Sequence, residues 1–254
     1  MDPRISALDD KDEHSPPSSP GPSTPRRQSD ESSTARSEYF GADDDVPRGL
    51  DAPARTLDVW HAAAHTNLLV TEGPDRTPRY YVANRWVPAG RQPDVVLHVG
   101  ADRSGPAAGC ARFSGALSRT ITLGLGGGPD DAGTAWAAMT RARSGAQHRW
   151  DLSVALPGEV STGRRRSLCW RHGREAGGAR LSMQNLQLVE ADTGAVLAVF
   201  ANNGLKSWNK KGKLRLLDSR GPDPEAWERI VLLSALALVH KLRRMSRVLN
   251  GYGS

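Results

Sequence analysis

Asp223-Pro224-Glu225-Ala226-Trp227-Glu228-Arg229, Ile230-Val231-Leu232-Leu233-Ser234-Ala235-Leu236-Ala237-Leu238-Val239, then His240-Lys241-Leu242-Arg243-Arg244 is the stretch that decides the fold. It reads as a helix spanning about residues 224–248. Asp223 suits the N-cap and Pro224 the first helical position. Glu225 and Glu228 lie near the positive end of the helix dipole, and Lys241, Arg243 and Arg244 near its negative end. From 230 to 239 there is no polar stripe; only Ser234 interrupts, and a helical serine can bond its own backbone. A helix that is apolar all round must be surrounded. The apolar run covers roughly 15 Å at about 1.5 Å per residue, while a bilayer core takes about 20 apolar residues. Protein, not lipid, is therefore the expected surrounding. Ile230, Leu233, Leu236, Leu238 and Val239 are the expected core of the helix, each gaining ~1.5–3 kcal/mol on burial against the entropy of ordering.

The segment before this helix has a different period. From about 56 to 217 short β-type runs alternate with turn signals. Arg79 to Trp86 is aromatic-rich, Asp94 to Val99 is apolar and stops at Gly100, and Arg119 to Leu123 stops at a glycine run. Around Trp150, Leu152 and Val154 the alternation is regular. The clearest hairpin ends at Phe200: Leu186 and Leu188 alternate on one arm, and Ala195 to Phe200 forms an unbroken apolar run on the other. An unbroken run suits a strand buried on both faces. Between them Ala191-Asp192-Thr193-Gly194 supplies turn chemistry, with Gly194 able to take a positive φ. Lys213 to Leu217 forms the last strand, and the count comes to about twelve.

A helix with its side chains is about 10–12 Å across. A barrel of about eight strands has room only for its own side chains, whereas one of about eleven encloses a helix. The expected fold is therefore mainly β: a closed antiparallel barrel of about twelve strands enclosing the C-terminal helix. That domain is expected over residues 55–254. Residues 1–54 are expected to be a disordered tail, since the Ser15-Pro16-Pro17-Ser18-Ser19-Pro20 type of composition cannot bury enough apolar surface to offset ordering. Ser15, Ser19 and Thr24 each precede a proline and are candidate sites for a proline-directed kinase.

Charge divides the same way. Residues 1–58 hold 13 acidic and 7 basic residues, and the remainder 15 and 27. A basic domain favours anionic partners: peripheral binding of an anionic membrane surface first, with a nucleic-acid-binding or protein–protein adaptor module as the alternative. Most aromatics are scattered singly through the strand region, which weakens the case for stacked bases. Three basic groups are candidates for contact. Lys206, Lys210, Lys211 and Lys213 surround Trp208 and suit lipid headgroups, with the indole at the interface. Lys241, Arg243 and Arg244, with Arg247 beyond, make a second patch. Arg164-Arg165-Arg166 forms a third.

Catalytic patterns are missing. His61 and His65 lack the glutamate of a zinc protease motif and lie in strand or linker surroundings. The glycines at 124–128 do not form GxGxxG, Gly212-Lys213 is not a phosphate-binding loop, and no serine has a GxSxG frame. Cys169 and His172 would point to opposite faces of a strand. The chain reads as non-enzymatic, without metal or cofactor. Only Cys110 and Cys169 are present, and no apolar leader follows Met1, so an intracellular, cytoplasmic protein is expected, peripheral to a membrane or nuclear.

The hairpin Leu186 to Phe200, the basic segment Lys206-Ser207-Trp208-Asn209-Lys210-Lys211-Gly212-Lys213-Leu214 and the closing apolar helix together resemble the tubby C-terminal-like superfamily, which includes tubby proteins, phospholipid scramblases and LURP-one-related proteins. The resemblance covers roughly residues 56–249. It implies a twelve-stranded barrel around a central helix, and membrane or phosphoinositide association. The Cys-rich segment and acidic calcium loop of the scramblases have no counterpart here.

Overall fold

The structure, a computed structural model, describes residues 55–62, 66–87, 92–142, 149–155, 163, 165–172, 185–203, 209–218 and 223–251. The kinase candidates Ser15, Ser19 and Thr24, and His65, Arg164, Lys206 and Trp208, lie outside the described residues.

Twelve strands precede one helix: β1 (Arg55–His61), β2 (Leu68–Glu72), β3 (Thr77–Asn84), β4 (Val95–Val99), β5 (Ala107–Phe113), β6 (Thr120–Leu125), β7 (Ala135–Arg141), β8 (Trp150–Val154), β9 (Arg166–His172), β10 (Leu186–Glu190), β11 (Val196–Asn202), β12 (Lys210–Leu216) and α1 (Pro224–Gly251). Each strand pairs antiparallel with its sequence neighbours, and β12 returns to β1 through pairs such as Leu57 with Leu214, closing the barrel. Closure removes both sheet edges. The hairpin of β10 and β11 forms as its sequence indicates. Gly194 adopts φ +72°, and Leu197, Ala198, Val199 and Phe200 are all buried.

The helix runs through the lumen. Every residue from Ile230 to Lys241 is buried, on all sides of the helix. Partners on widely separated strands confirm the position. Trp170 on β9 donates its indole N–H to Ser234 Oγ at 2.9 Å, while Tyr80 on β3 donates its hydroxyl to Glu228 at 2.8 Å. Ser234 in turn donates to the Val231 carbonyl at 3.0 Å, so the polar interruption is satisfied twice. Asp223 caps the helix, its Oδ1 accepting from the Ala226 N–H at 2.9 Å.

The helix lies nearest β5 and β6. The strands are shaped accordingly. A Cβ on Gly109 of β5 would stand 3.0 Å from Leu233 Cδ2, and Ala111 is the next residue on that face. On β7 to β9, Met139, Trp150, Leu152 and Trp170 fill the wider space. The small residues of β5 let the helix approach, and the large ones on β7 to β9 fill the remaining lumen, giving the packing density a core needs.

Strand direction defines two mouths. Arg55, Glu72, Thr77, Leu216 and the start of α1 share one, the N mouth. His61, Asn84, Phe113, Thr120, Asn202 and Lys210 share the other, the C mouth, through which α1 leaves. No helix among the described residues is long and apolar enough to cross a membrane.

Candidate functional site

The two mouths differ electrostatically. At the N mouth, the charges beside the start of α1 are paired with one another. Arg55 makes a two-pronged contact with Glu72, at 2.6 and 2.7 Å, and its Nη1 lies 2.6 Å from Glu228 Oε2. Arg79 reaches the same two carboxylates at 3.4 and 3.3 Å. The Arg55 hydrogen bond holds the Glu72 carboxyl below the usual carboxylate range, and burial pushes the Tyr80 hydroxyl up. A cavity of about 330 Å³ opens beside this group, lined by Arg55, Glu72, Trp227 and Glu228 among others. Its charges already have partners.

The C mouth collects cations from two distant parts of the sequence. Lys211 is the extra residue of a bulge where β12 meets β1, since Val59 pairs with Gly212 and Trp60 with Lys210. Burial pushes its ammonium down to about 8, and the charge of Arg243 on α1 adds to that. Arg243 is itself lowered, by burial first and then by Arg247. The guanidinium carbons of Arg243 and Arg247 lie over the Trp86 ring, 5.3 and 4.0 Å from its centroid. Among the described residues, none of Lys211, Arg243 and Arg247 has an acidic partner. Like charges converge there without neutralisation.

The other expected contact residues have different roles. Lys210 is held 2.8 Å from Asp58 and 5.0 Å from the Trp60 ring, under which Arg76 also stacks at 4.1 Å. Lys213 lies further along β12, opposite Asp58 and Ala201. Arg165 is tied to Ser153 at the N mouth and is not part of the C-mouth cluster.

Lys241 and Arg244 require correction: they are not a surface patch. Lys241 is fully buried, donating to the Gly115 carbonyl and, at 2.9 Å, to Ser118 Oγ. Arg244 is buried against Asp94, whose other oxygen accepts the Phe113 N–H at 2.7 Å. Both side chains tie α1 to the strand ends. Desolvation pushes Lys241 down to about 8. The sequence signal for this was available: residues 237, 241 and 244 share one helix face, and the first of them is apolar.

His240 completes this lock. Its Nε2–H donates to the Arg85 carbonyl at 2.9 Å, and its ring lies 5.0 Å from Trp86 and 5.8 Å from Phe113. Burial pushes its pKa down to about 4; the Arg85 bond and Asp94 oppose that shift, while Arg244 and Arg243 add to it. The unfolded chain therefore binds a proton that the folded chain refuses between pH 6.5 and 4. Stability must fall as pH drops through that window. At 1.36 kcal/mol per unit, the loss from this group is about 3 kcal/mol. Urea unfolding of His240→Gln from pH 7 to pH 4 should show the gap to the native sequence narrowing by about that amount. A constant gap would show that His240 does not titrate this way.

Cys169 and His172 lie three residues apart on β9 and pair with Val189 and Leu186. They do not meet. Burial pushes both thiols, Cys110 and Cys169, up, so neither is an activated nucleophile. No group of His, Cys, Asp and Glu among the described residues is arranged to hold a metal.

No family model and no curated protein matches the sequence. Among solved structures, the chain is similar to a protein from Arabidopsis thaliana, with 13% identity and a TM-score of 0.44, over 76% of this chain and 93% of that one.

Proposed function

We propose that this is a non-enzymatic, tubby-like domain that binds anionic membrane lipid, phosphoinositide or phosphatidylserine, at the C mouth of the barrel. One observation carries the reading: Lys211, Arg243 and Arg247 converge from two segments, and among the described residues none of them has a carboxylate partner. A phosphate supplies the missing charge, and guanidinium groups suit its oxygens. Trp86, whose ring carries both arginines, suits the membrane–water boundary. The barrel with a helix through its lumen is also the architecture that the sequence resemblance implies.

Flotation with liposomes tests this. The native chain should float with vesicles containing phosphatidylserine or a phosphoinositide and stay down with neutral ones. Each base is worth about 1 kcal/mol near an anionic surface, so reversing Lys211, Arg243 and Arg247 to Glu should weaken partitioning by at least about a hundredfold. Added salt should weaken the native binding as the Debye length shrinks. If the chain ignores anionic vesicles at low salt yet shifts an oligonucleotide in a gel, the cluster is a nucleic-acid contact instead.

A further inference from the structure

Five large apolar side chains are exposed among the described residues: Val87, Val99, Leu117, Trp136 and Leu249. Trp136 is partly covered by the Arg112 guanidinium, 4.7 Å from its ring, and Val99 ends β4 at the N mouth. The other three are the most exposed, at 73% for Val87, 56% for Leu117 and 58% for Leu249, and all three belong to the C mouth. They arrive on separate segments. Val87 follows Trp86, which touches Arg243, Arg247 and His240. Leu117 lies in the β5–β6 connection, which Lys241 ties to α1 through Gly115 and Ser118. Leu249 is two residues beyond Arg247 on the helix as it leaves the barrel.

Single exposed apolar residues are ordinary; a grouping of the largest ones around a cluster of bases is not. Building on the lipid-binding reading above, we infer that the C mouth inserts. Val87, Leu117 and Leu249 pass below the headgroups of an anionic bilayer while Arg243, Arg247 and Lys211 stay level with the phosphates. The charge complementarity of the rim selects a lipid surface as the occupant. Long basic stems and the indole can span the polar and apolar layers together. The barrel axis then stands along the membrane normal, with the N mouth facing water. Apolar insertion adds a component of binding that salt does not screen.

Leu117→Cys labelled with a polarity-sensitive fluorophore tests this directly, because Cys110 and Cys169 are buried. On phosphatidylserine vesicles the label should shift to the blue and be quenched by lipids brominated on the acyl chain. The triple change Val87→Asp, Leu117→Asp and Leu249→Asp should keep the fold, since all three residues are exposed. At about 0.5 M salt, where charge is largely screened, that variant should lose the residual flotation that the native chain retains. A label that stays in water while the native chain floats, with flotation lost entirely in salt, overturns insertion and leaves the charged face standing. A native chain that binds no vesicle overturns both readings.

Discussion

Leu236→Asp is expected to yield no folded, soluble protein. Leu236 lies midway along α1 and is buried with its neighbours on every side. A carboxylate there would stand within the hydrophobic core that α1 and the strands build, in a helix whose backbone is already bonded to itself. Burying an unpaired charge costs several kcal/mol even after relaxation, and deleting the leucine's packing adds about 2–5 kcal/mol more. The total approaches the whole stability of an ordinary domain, about 5–15 kcal/mol. Soluble expression and near-ultraviolet circular dichroism read the outcome. A variant that folds with unchanged stability would mean that α1 does not occupy the lumen in solution.

Glu228→Gln should destabilise by about 3 kcal/mol, at the lower end of the cost of breaking a buried ion pair. The lower end applies because Arg55 and Arg79 keep part of their surface in water, at 28% and 26%, while Glu228 keeps 1%. The substitution preserves shape and the hydroxyl bond from Tyr80, yet leaves two guanidinium groups sharing Glu72 alone. For a domain of this size the melting temperature should fall by about 6–12 °C. Calorimetry at neutral pH measures it. A loss under about 1 kcal/mol would assign the cluster to solvated surface charge.

Glu228 also marks where reading the sequence stops. As a residue in the first turns of a helix, it fits the dipole, and nothing nearby in sequence says more. Its partners Tyr80 and Arg79 stand 148 and 149 positions away. Asp94 and Arg244 are 150 positions apart. Pairings of that span leave no trace in local periodicity. What was legible came from local pattern: the apolar run 230–239, the alternation at Leu186 and Leu188, and the turn ending in Gly194. These were enough for a closed barrel around a helix. The basic residues were harder, because a lysine that anchors a strand connection and one that faces solvent look alike in a list of charges. Lys241 reads as part of a basic patch for that reason, although it is buried. The pairing of Trp86 with Arg243 and Arg247 was out of reach, since it depends on which strands share a mouth.

The order of strands in the barrel has a consequence for how the chain is made. Eleven of the twelve pairings join consecutive strands, so each hairpin can form soon after it is synthesised. The remaining pairing, β1 with β12, spans most of the domain, and the filling of the lumen is translated after every strand. A nascent sheet therefore holds an apolar face with nothing to cover it until α1 emerges. At about 5–20 residues per second, the first strands wait on the order of ten seconds or more. Growing chains of this protein should be clients of holding chaperones up to the moment the helix is released, and a stop shortly before residue 223 should produce aggregate rather than a smaller domain.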